Sequence, residues 1–336
     1  MILIIRDSDG HTGFGEIAPL PGLDRETDES CRHDMALFKS RYTGKVLAMR
    51  DFDVTMPLFG LCGLDISPGP SALFGIESAL LILSIKHHAG PLPGILAGFE
   101  GDIPVKVNGL FIPGTGASAG QIRYLKENNF KTIKIKIGRA AREREIIDIK
   151  ELAGSIPGAV FRLDGNRILD PAGLREYHHD LRDLNVEYLE EPFPEGQQGD
   201  IPWPFAADES LNGCLDRVNP DFTKIPRTWS AMIIKPGSLW GLHNIIRAVR
   251  WGDINNFTVT LSSSYNSGAG LTALGLAGLC SVEYGKKSHG LDTYKYLEGD
   301  LLNAKLSFHD GELRIPRSLF LSDDAVDLRM LQEVFL

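Results

Sequence analysis

The chain predicts an α/β fold built on parallel strands, and three features of its sequence lead there. From about residue 104 to residue 279, short β-branched runs alternate with amphipathic stretches of helical period. Several successive runs in that series end in a lysine or a carboxylate where the strand meets its loop. The first hundred residues have another texture, mixing a few short strands with helices before a Pro- and Gly-rich stretch at Pro91, Pro93, Gly94 and Gly98.

Taken in order, Ile2–Arg6 reads as a strand and Asp9-Gly10 as a turn. Gly13–Pro21 is rich in Gly and Pro and predicts an irregular loop. A helix is expected from Glu26, and another from a Ser71 cap to about His88. Beyond a boundary near residue 100, strands are expected at Pro104–Ile112, Thr132–Ile137, Val160–Asp164, Val186–Leu189, Phe205–Asp208, Ala231–Lys235 and Phe257–Leu261. The interleaved helices are Ala117–Asn129, Arg139–Ala153, Pro171–Leu184, Leu239–Trp251 and Gly268–Leu279. Repeated βα units imply parallel strands buried on both faces, closed into a barrel or opened as a doubly wound sheet.

Bulk properties narrow the function less. A chain of 336 residues suits one large domain, or a large and a smaller one. With 43% apolar and 24% charged residues it reads as globular, and a net charge of −9 argues against nucleic-acid or anionic-membrane partners. Cys31, Cys62, Cys214 and Cys280 are scattered, as expected of reduced thiols in a cytoplasmic protein. The apolar start is too short for a signal peptide or a membrane span, and Glu77 interrupts the greasy stretch Ser71–Ile85.

Gly114, Gly116 and Ala119 match a dinucleotide fingerprint, G-x-G-x-x-A. The next strand carries Lys134 and Lys136 where such a fold wants an acid for the ribose, so a flexible βα loop is the better reading. His87-His88 and His178-His179 are adjacent pairs whose members point apart, unlike zinc ligands.

The chemistry gathers at the strand ends. In Thr132–Gly138, period two puts Lys134 and Lys136 on one face and Ile133, Ile135 and Ile137 on the other. In a lone antiparallel strand those lysines would face water. Within a βα series the isoleucines must meet the helices, so the lysines point into a barrel, where they disfavour each other's charge and lower a pKa, as a general base requires. The next three strands leave Asp164, Glu190 and Asp208 at their ends. One such acid is most simply a cap or turn residue, but three together would repel strongly unless a hard cation such as Mg²⁺ lay between them. Alternation turns Glu191 and Glu209 away or to supporting roles. Lys235 ends the following strand, facing the site from the side opposite Lys136, and Ser262, Ser263 and Ser264 precede a helix whose free N–H groups would suit a substrate carboxylate.

This ordered set, K-x-K, then D, E and D, then a lone lysine, resembles the enolase superfamily in its muconate-lactonizing subgroup. Its fold is a (β/α)₇β TIM-like barrel with an α+β amino-terminal capping domain. Within it, Gly15–Gly22, Arg162–Arg167, Leu189–Pro192, Asp208–Leu211, Ile234–Pro236, Ser262–Ser264 and Gly290–Thr293 are similar, in order, to the o-succinylbenzoate synthase family of menaquinone-pathway dehydratases. The resemblance implies a capping domain over residues 1–100, short at its start because family members begin with one further strand and a cap loop. A barrel over 101–305 and a segment 306–336 packing back on the cap would follow.

It further implies Mg²⁺, or Mn²⁺, on Asp164, Glu190 and Asp208. Lys136 would take the α-proton, tuned by Lys134, with Lys235 opposite. Ser262, Ser263, Ser264, Gly290 and Arg162 would contact substrate, with Asn166 and Glu209 in support. The implied reaction is syn elimination of water from 2-succinyl-6-hydroxy-2,4-cyclohexadiene-1-carboxylate, a small carboxylate, by a monomer or homodimer. The same residues would serve an N-acylamino acid racemase or dipeptide epimerase, and a more distant alternative is an NAD(P)-dependent dehydrogenase using Gly114 and Gly116.

Overall fold

A computed structural model describes residues 1–21, 26–46, 66–216 and 218–332; Gly22 and Cys62 lie outside the described residues. The chain opens with an antiparallel hairpin of β1 (Ile2–Arg6) and β2 (Thr12–Glu16). The expected loop at Gly13–Pro21 is therefore strand in its first part. Gly13 and Gly15 share one face of β2, and a Cβ built on either would lie 1.9 Å from a carbonyl oxygen, Ala79 O and Gly75 O respectively. The glycines are there to let a helix lie against the strand. Gly15→Ala is expected to destabilise the protein by about 1–3 kcal/mol through this overpacking, read as a lowered urea midpoint.

Helix α1 (Asp28–Tyr42) starts after Thr27, which caps it reciprocally with Ser30. Helix α2 (Pro70–Lys86) is capped at Gly69, so Ser71 lies inside it and is not the cap; residues 70–85 are buried, as an all-round apolar sequence requires. Helix α3 (Leu92–Ala97) follows. The single strand expected at Pro104–Ile112 is broken into β3 (Ile103–Lys106) and β4 (Gly109–Phe111).

The alternation then proceeds as α4 (Ser118–Glu127), β5 (Thr132–Lys136), α5 (Arg142–Ser155), β6 (Val160–Asp164), α6 (Pro171–Leu181) and β7 (Val186–Glu190). It continues as β8 (Phe205–Ala207), β9 (Trp229–Ile234), α7 (Leu242–Asn255), β10 (Thr258–Leu261) and α8 (Gly268–Leu279). Strands β4 to β10 form one parallel sheet in sequence order. Residues His289 and Gly290 close it. His289 bridges Val107 beside β4, and Gly290 bridges Ser262 beyond β10, both in parallel. The fold is thus a TIM-like α/β barrel whose eighth stave is these two residues. Its alternation lapses after β7 and β8, where the described residues hold no α-helix but short 3₁₀ turns at Glu209–Gly213 and Phe222–Lys224.

Side chains alternate as period two demands. Ile133, Ile135 and Ile137 are fully buried toward the helices, while Tyr188, Ala206, Ala231 and Ile233 make a separate apolar plug inside the barrel. Closure removes the doubly wound alternative. Gly114 and Gly116, both at φ +76°, shape the β4–α4 loop, and the Gly114 N–H donates to Asp148 rather than waiting for a phosphate. His87 pairs with Asp7, and His178 packs on Trp203. Cys31, Cys214 and Cys280 are free thiols. Among the described residues no helix is long and apolar enough to cross a membrane.

After the barrel, β11 (Ser307–His309) and β12 (Glu312–Ile315) extend an antiparallel sheet from β3, and α9 (Ser318–Leu321) follows. Asp323 then reaches the hairpin and α2. It accepts from Thr12 N at 2.8 Å and from Lys86 Nζ at 2.7 Å. Bonding to Lys86 above all holds its carboxyl well below the usual range. A depressed folded-state pKa adds stability above the unfolded value of about 3.9 and loses it as the pH falls through the folded one. Asp323→Asn is expected to lower the urea midpoint at neutral pH, with the gap to wild type narrowing as pH drops from about 4.

Candidate active site

Strand register sets the neighbours at the barrel mouth. Lys136 is the cross-strand partner of Asp164, and Asp164 of Glu190. Alternation turns Lys134, Lys136, Asp164 and Glu190 to the inward face. Asp208 follows β8 at the head of a 3₁₀ turn, and Lys235 follows β9. Because β5 and β9 stand four places apart in a ring of eight, Lys136 and Lys235 lie on opposite sides of the mouth.

The three lysines divide among the carboxylates. Lys134 Nζ donates to Glu190 Oε1 and Oε2 at 2.9 and 2.7 Å and lies 2.8 Å from Asp164 Oδ2. Lys136 Nζ lies 3.3 Å from Asp164 Oδ2 and donates to Asn166 Oδ1 at 3.0 Å. Lys235 donates to Asp208.

These contacts give the lysines different charges to carry. Burial disfavours the Lys134 ammonium, but Asp164 and Glu190 outweigh it and hold its pKa well above the ordinary value. Lys235 is likewise raised against burial by Asp208 and Glu190. Lys136 alone of the three is lowered, by burial first, against the pull of Asp164 and helped by the like charges of Lys134 and Arg139.

The carboxyls respond in kind. Burial would raise Asp164, but Lys134 and Lys136 bring it down. Glu190 is pushed up to about 8 by burial and by Asp164, with Asp208 adding to the effect. Asp208 is raised by burial despite Lys235. Two of these three buried carboxyls, Glu190 and Asp208, thus hold negative charge that their surroundings disfavour.

That charge, on a donor set of oxygen alone, fits a hard divalent cation. By themselves the three acids are not gathered into one ligand group. Among the described residues no three His, Cys, Asp or Glu side chains are grouped for a metal, because Lys134 lies between Asp164 and Glu190 while Asp208 turns to Lys235.

Four non-glycine residues at this end have left-handed backbone: Asn166 (φ +45°), Arg167 (+59°), Glu191 (+37°) and Tyr265 (+58°). Such strain persists where neighbours over-determine it, and Glu191 shows how. Pointing away from the barrel interior and 3% exposed, it accepts from Asp208 N, Ser210 N, Ser210 Oγ and Arg167 Nε at 2.7–2.9 Å. It fixes the backbone that carries Asp208. Glu209 lies 4.0 Å from Arg167 and acts on Asp208 through charge.

The remaining sequence candidates separate. Ser262 and Ser263 sit at the mouth beside Gly290, and Ser263 Oγ bonds to Thr293 Oγ1. Gly290 has its own N–H and C=O committed to Leu261 and Ser263 in closing the barrel. Arg162 is not brought to the mouth. One layer deeper on β6 and 2% exposed, it is locked to Asn108, Ser288 O and Glu187 and stacked on Tyr188.

Several of the free N–H groups expected at the start of α8 are also taken. Ser264 N donates to Asn266, Ser267 N to Glu16, and Gly268 N to Asp300. Glu16 thus neutralises one helix start from the hairpin, as Glu77 of α2 does for α7 through His243 N and Nδ1.

Sequence reasoning passed over these buried clamps, and over Glu145. Fully buried, Glu145 accepts from Gly138 N, Arg139 N, Ala140 N and Tyr177 Oη, holding the loop after Lys136. Glu145 was visible as an acid in the first turn of α5, but its partners across the loop were not. Arg139 was missed as well. It reaches Asn166 Oδ1 at 2.6 Å, and the signal was its place just beyond K-x-K-I-G.

Comparison with known proteins agrees in outline. The family model described as enolase C-terminal domain-like matches residues 117–319. The chloroplastic protein PHYLLO of Arabidopsis thaliana is 27% identical over 373 residues, covering 99% of this chain and 21% of its own length. The chain thus spans about a fifth of that relative. The o-succinylbenzoate synthase of Escherichia coli K12 is 26% identical over 275 residues, with 78% of this chain and 73% of the relative covered. The crystal structure of a dipeptide epimerase from Methylococcus capsulatus, complexed with a Mg ion, superposes with a TM-score of 0.71 at 23% identity, covering 94% of this chain and 90% of that one. At that identity the likeness is one of fold.

Proposed function

The chain belongs to the enolase C-terminal domain-like family, and from that premise we propose that it is a metal-dependent dehydratase forming o-succinylbenzoate from its cyclohexadiene carboxylate precursor. As an enzyme of the enolase superfamily it acts on small molecules; the finer reading rests on one observation. Lys136 is the lysine whose ammonium the site disfavours, and it faces Lys235, whose ammonium the site keeps. One side of the mouth can take a proton while the other meets the charge its loss creates.

A divalent cation, Mg²⁺ or Mn²⁺, held by Asp164, Glu190 and Asp208 would draw charge from the substrate carboxylate. Lys136 Nζ, as the free amine, takes the α-proton. Lys235 keeps its proton and offers it as a fixed positive charge to the carboxylate as negative charge grows there. Lys134, bonded to both Glu190 oxygens, stays an ammonium and keeps Lys136 from holding a proton too tightly. Lys136 then returns its proton to the departing hydroxide on the same face. Ser262 and Ser263 offer hydroxyls to the substrate, and Asn166 Oδ1 orients the Lys136 amine.

The opposed lysines also favour a second reading, an N-acylamino acid racemase or dipeptide epimerase in which each lysine serves one face of the α-carbon. Parallel assays with Mg²⁺ separate the two. Loss of the precursor's diene absorbance supports the dehydratase. Solvent deuterium entering the α-position of dipeptides or N-acylamino acids, with the diene unchanged, replaces it by the epimerase.

A further inference from the structure

We propose that Arg139 is a substrate-binding residue that reads the second carboxylate of the substrate, the one away from the carbon that loses its proton. This deepens the dehydratase reading and rests on it for the identity of the first carboxylate's reaction.

Three observations carry the inference. First, the Arg139 guanidinium stands at the proton-transfer side of the mouth. Its Nη2 donates to Asn166 Oδ1 at 2.6 Å, the same oxygen that receives Lys136 Nζ at 3.0 Å. The two cations are therefore no further apart than the sum of those bonds. Second, the guanidinium is in reserve. Arg139 is exposed, and among the described residues no carboxylate pairs with it, whereas Arg162, Arg167 and Arg142 each have acidic partners. A planar fork with one donor used keeps a face for bidentate binding of a carboxylate. Third, the residue is held in place before any ligand arrives. The Arg139 N–H is one of three consecutive backbone donors gripped by buried Glu145, so little loop ordering remains to oppose binding.

The helix start at α8, the other natural anion site at the mouth, is already partly neutralised, with Glu16 accepting from Ser267 N and Asp300 from Gly268 N. Lys134 and Lys235 are committed to their own carboxylates. A second substrate carboxylate lying beyond Lys136 would thus meet Arg139. A contact made equally in the ground and transition states would show its loss chiefly in KM.

The test is calorimetric and does not depend on turnover. With Mg²⁺ present, o-succinylbenzoate and benzoate are titrated into wild type, Arg139→Gln and Arg139→Lys. The expected result is that wild type binds the dicarboxylate more tightly. Arg139→Gln should lose about 10- to 100-fold of affinity for o-succinylbenzoate and almost none for benzoate, with Arg139→Lys between. With the cyclohexadiene precursor, Arg139→Gln should raise KM by a similar factor, and kcat should change by less, through loss of the like charge beside Lys136. Equal affinity of the two ligands for wild type, or an equal loss for both in Arg139→Gln, overturns the inference. Failure of wild type to convert the precursor while the dicarboxylate preference holds overturns the dehydratase reading and leaves Arg139 as the reader of a different dicarboxylate.

Discussion

Replacing Lys136 with Ala is expected to lower kcat by roughly 100- to 10,000-fold, the range for loss of a positioned general base. The fold and the carboxylate cluster should survive. The side chain is 21% exposed, and Asp164 keeps its contact with Lys134 at 2.8 Å and its bond from Asn166 N at 3.0 Å. Asn166 Oδ1 keeps Arg139. No buried charge is left alone, so circular dichroism and calorimetric Mg²⁺ affinity should stay close to wild type while turnover of the precursor is lost. Substantial residual turnover would remove Lys136 from the role of base.

Lys235→Ala carries the second large effect, with kcat expected to fall about 100- to 1,000-fold, as when one donor to a developing oxyanion is removed. Here the loss should reach beyond the rate. Asp208 is buried and already raised, and Lys235 is its principal compensating charge. Without it the carboxyl moves further toward the protonated form, so Mg²⁺ affinity should drop as well. Lys235→Arg restores a cation, though a planar one, and should recover the metal affinity more fully than kcat. The epimerase reading expects otherwise. There Lys235 must itself exchange protons, and an arginine that stays charged would stop epimerisation from one enantiomer while α-hydrogen exchange of the other persists. Measuring exchange and turnover in both variants distinguishes a lysine that supplies charge from one that moves a proton.

How far the sequence carries is clearest at particular residues. The inward direction of Lys134 and Lys136 was legible because three isoleucines had to meet helices, and they are buried as that requires. The strand ends of Asp164, Glu190, Asp208 and Lys235 followed from the same period. The hairpin strand at Gly13–Glu16 was hidden, since its glycines answer to α2, a helix about sixty residues away in the chain. Arg162 was misplaced by its nearness to Asp164 in sequence. Two residues along a strand is one barrel layer, and that depth turns a mouth residue into an interior one. The serine loop's N–H groups looked available because the acids that fill them, Glu16 and Asp300, come from distant segments. Local spacing revealed what each strand presents to the centre. It could not reveal which groups are already spoken for by partners across the fold.

The assignment of Lys136 as the base is tested most directly by the single-turnover rate of precursor deuterated at its α-carbon, with enzyme in excess and Mg²⁺ saturating. The predicted result is a slower loss of diene absorbance than with protiated precursor in wild type, and no measurable loss with Lys136→Ala on the same timescale. Equal rates for the two isotopologues in wild type together with undiminished conversion by Lys136→Ala would contradict it.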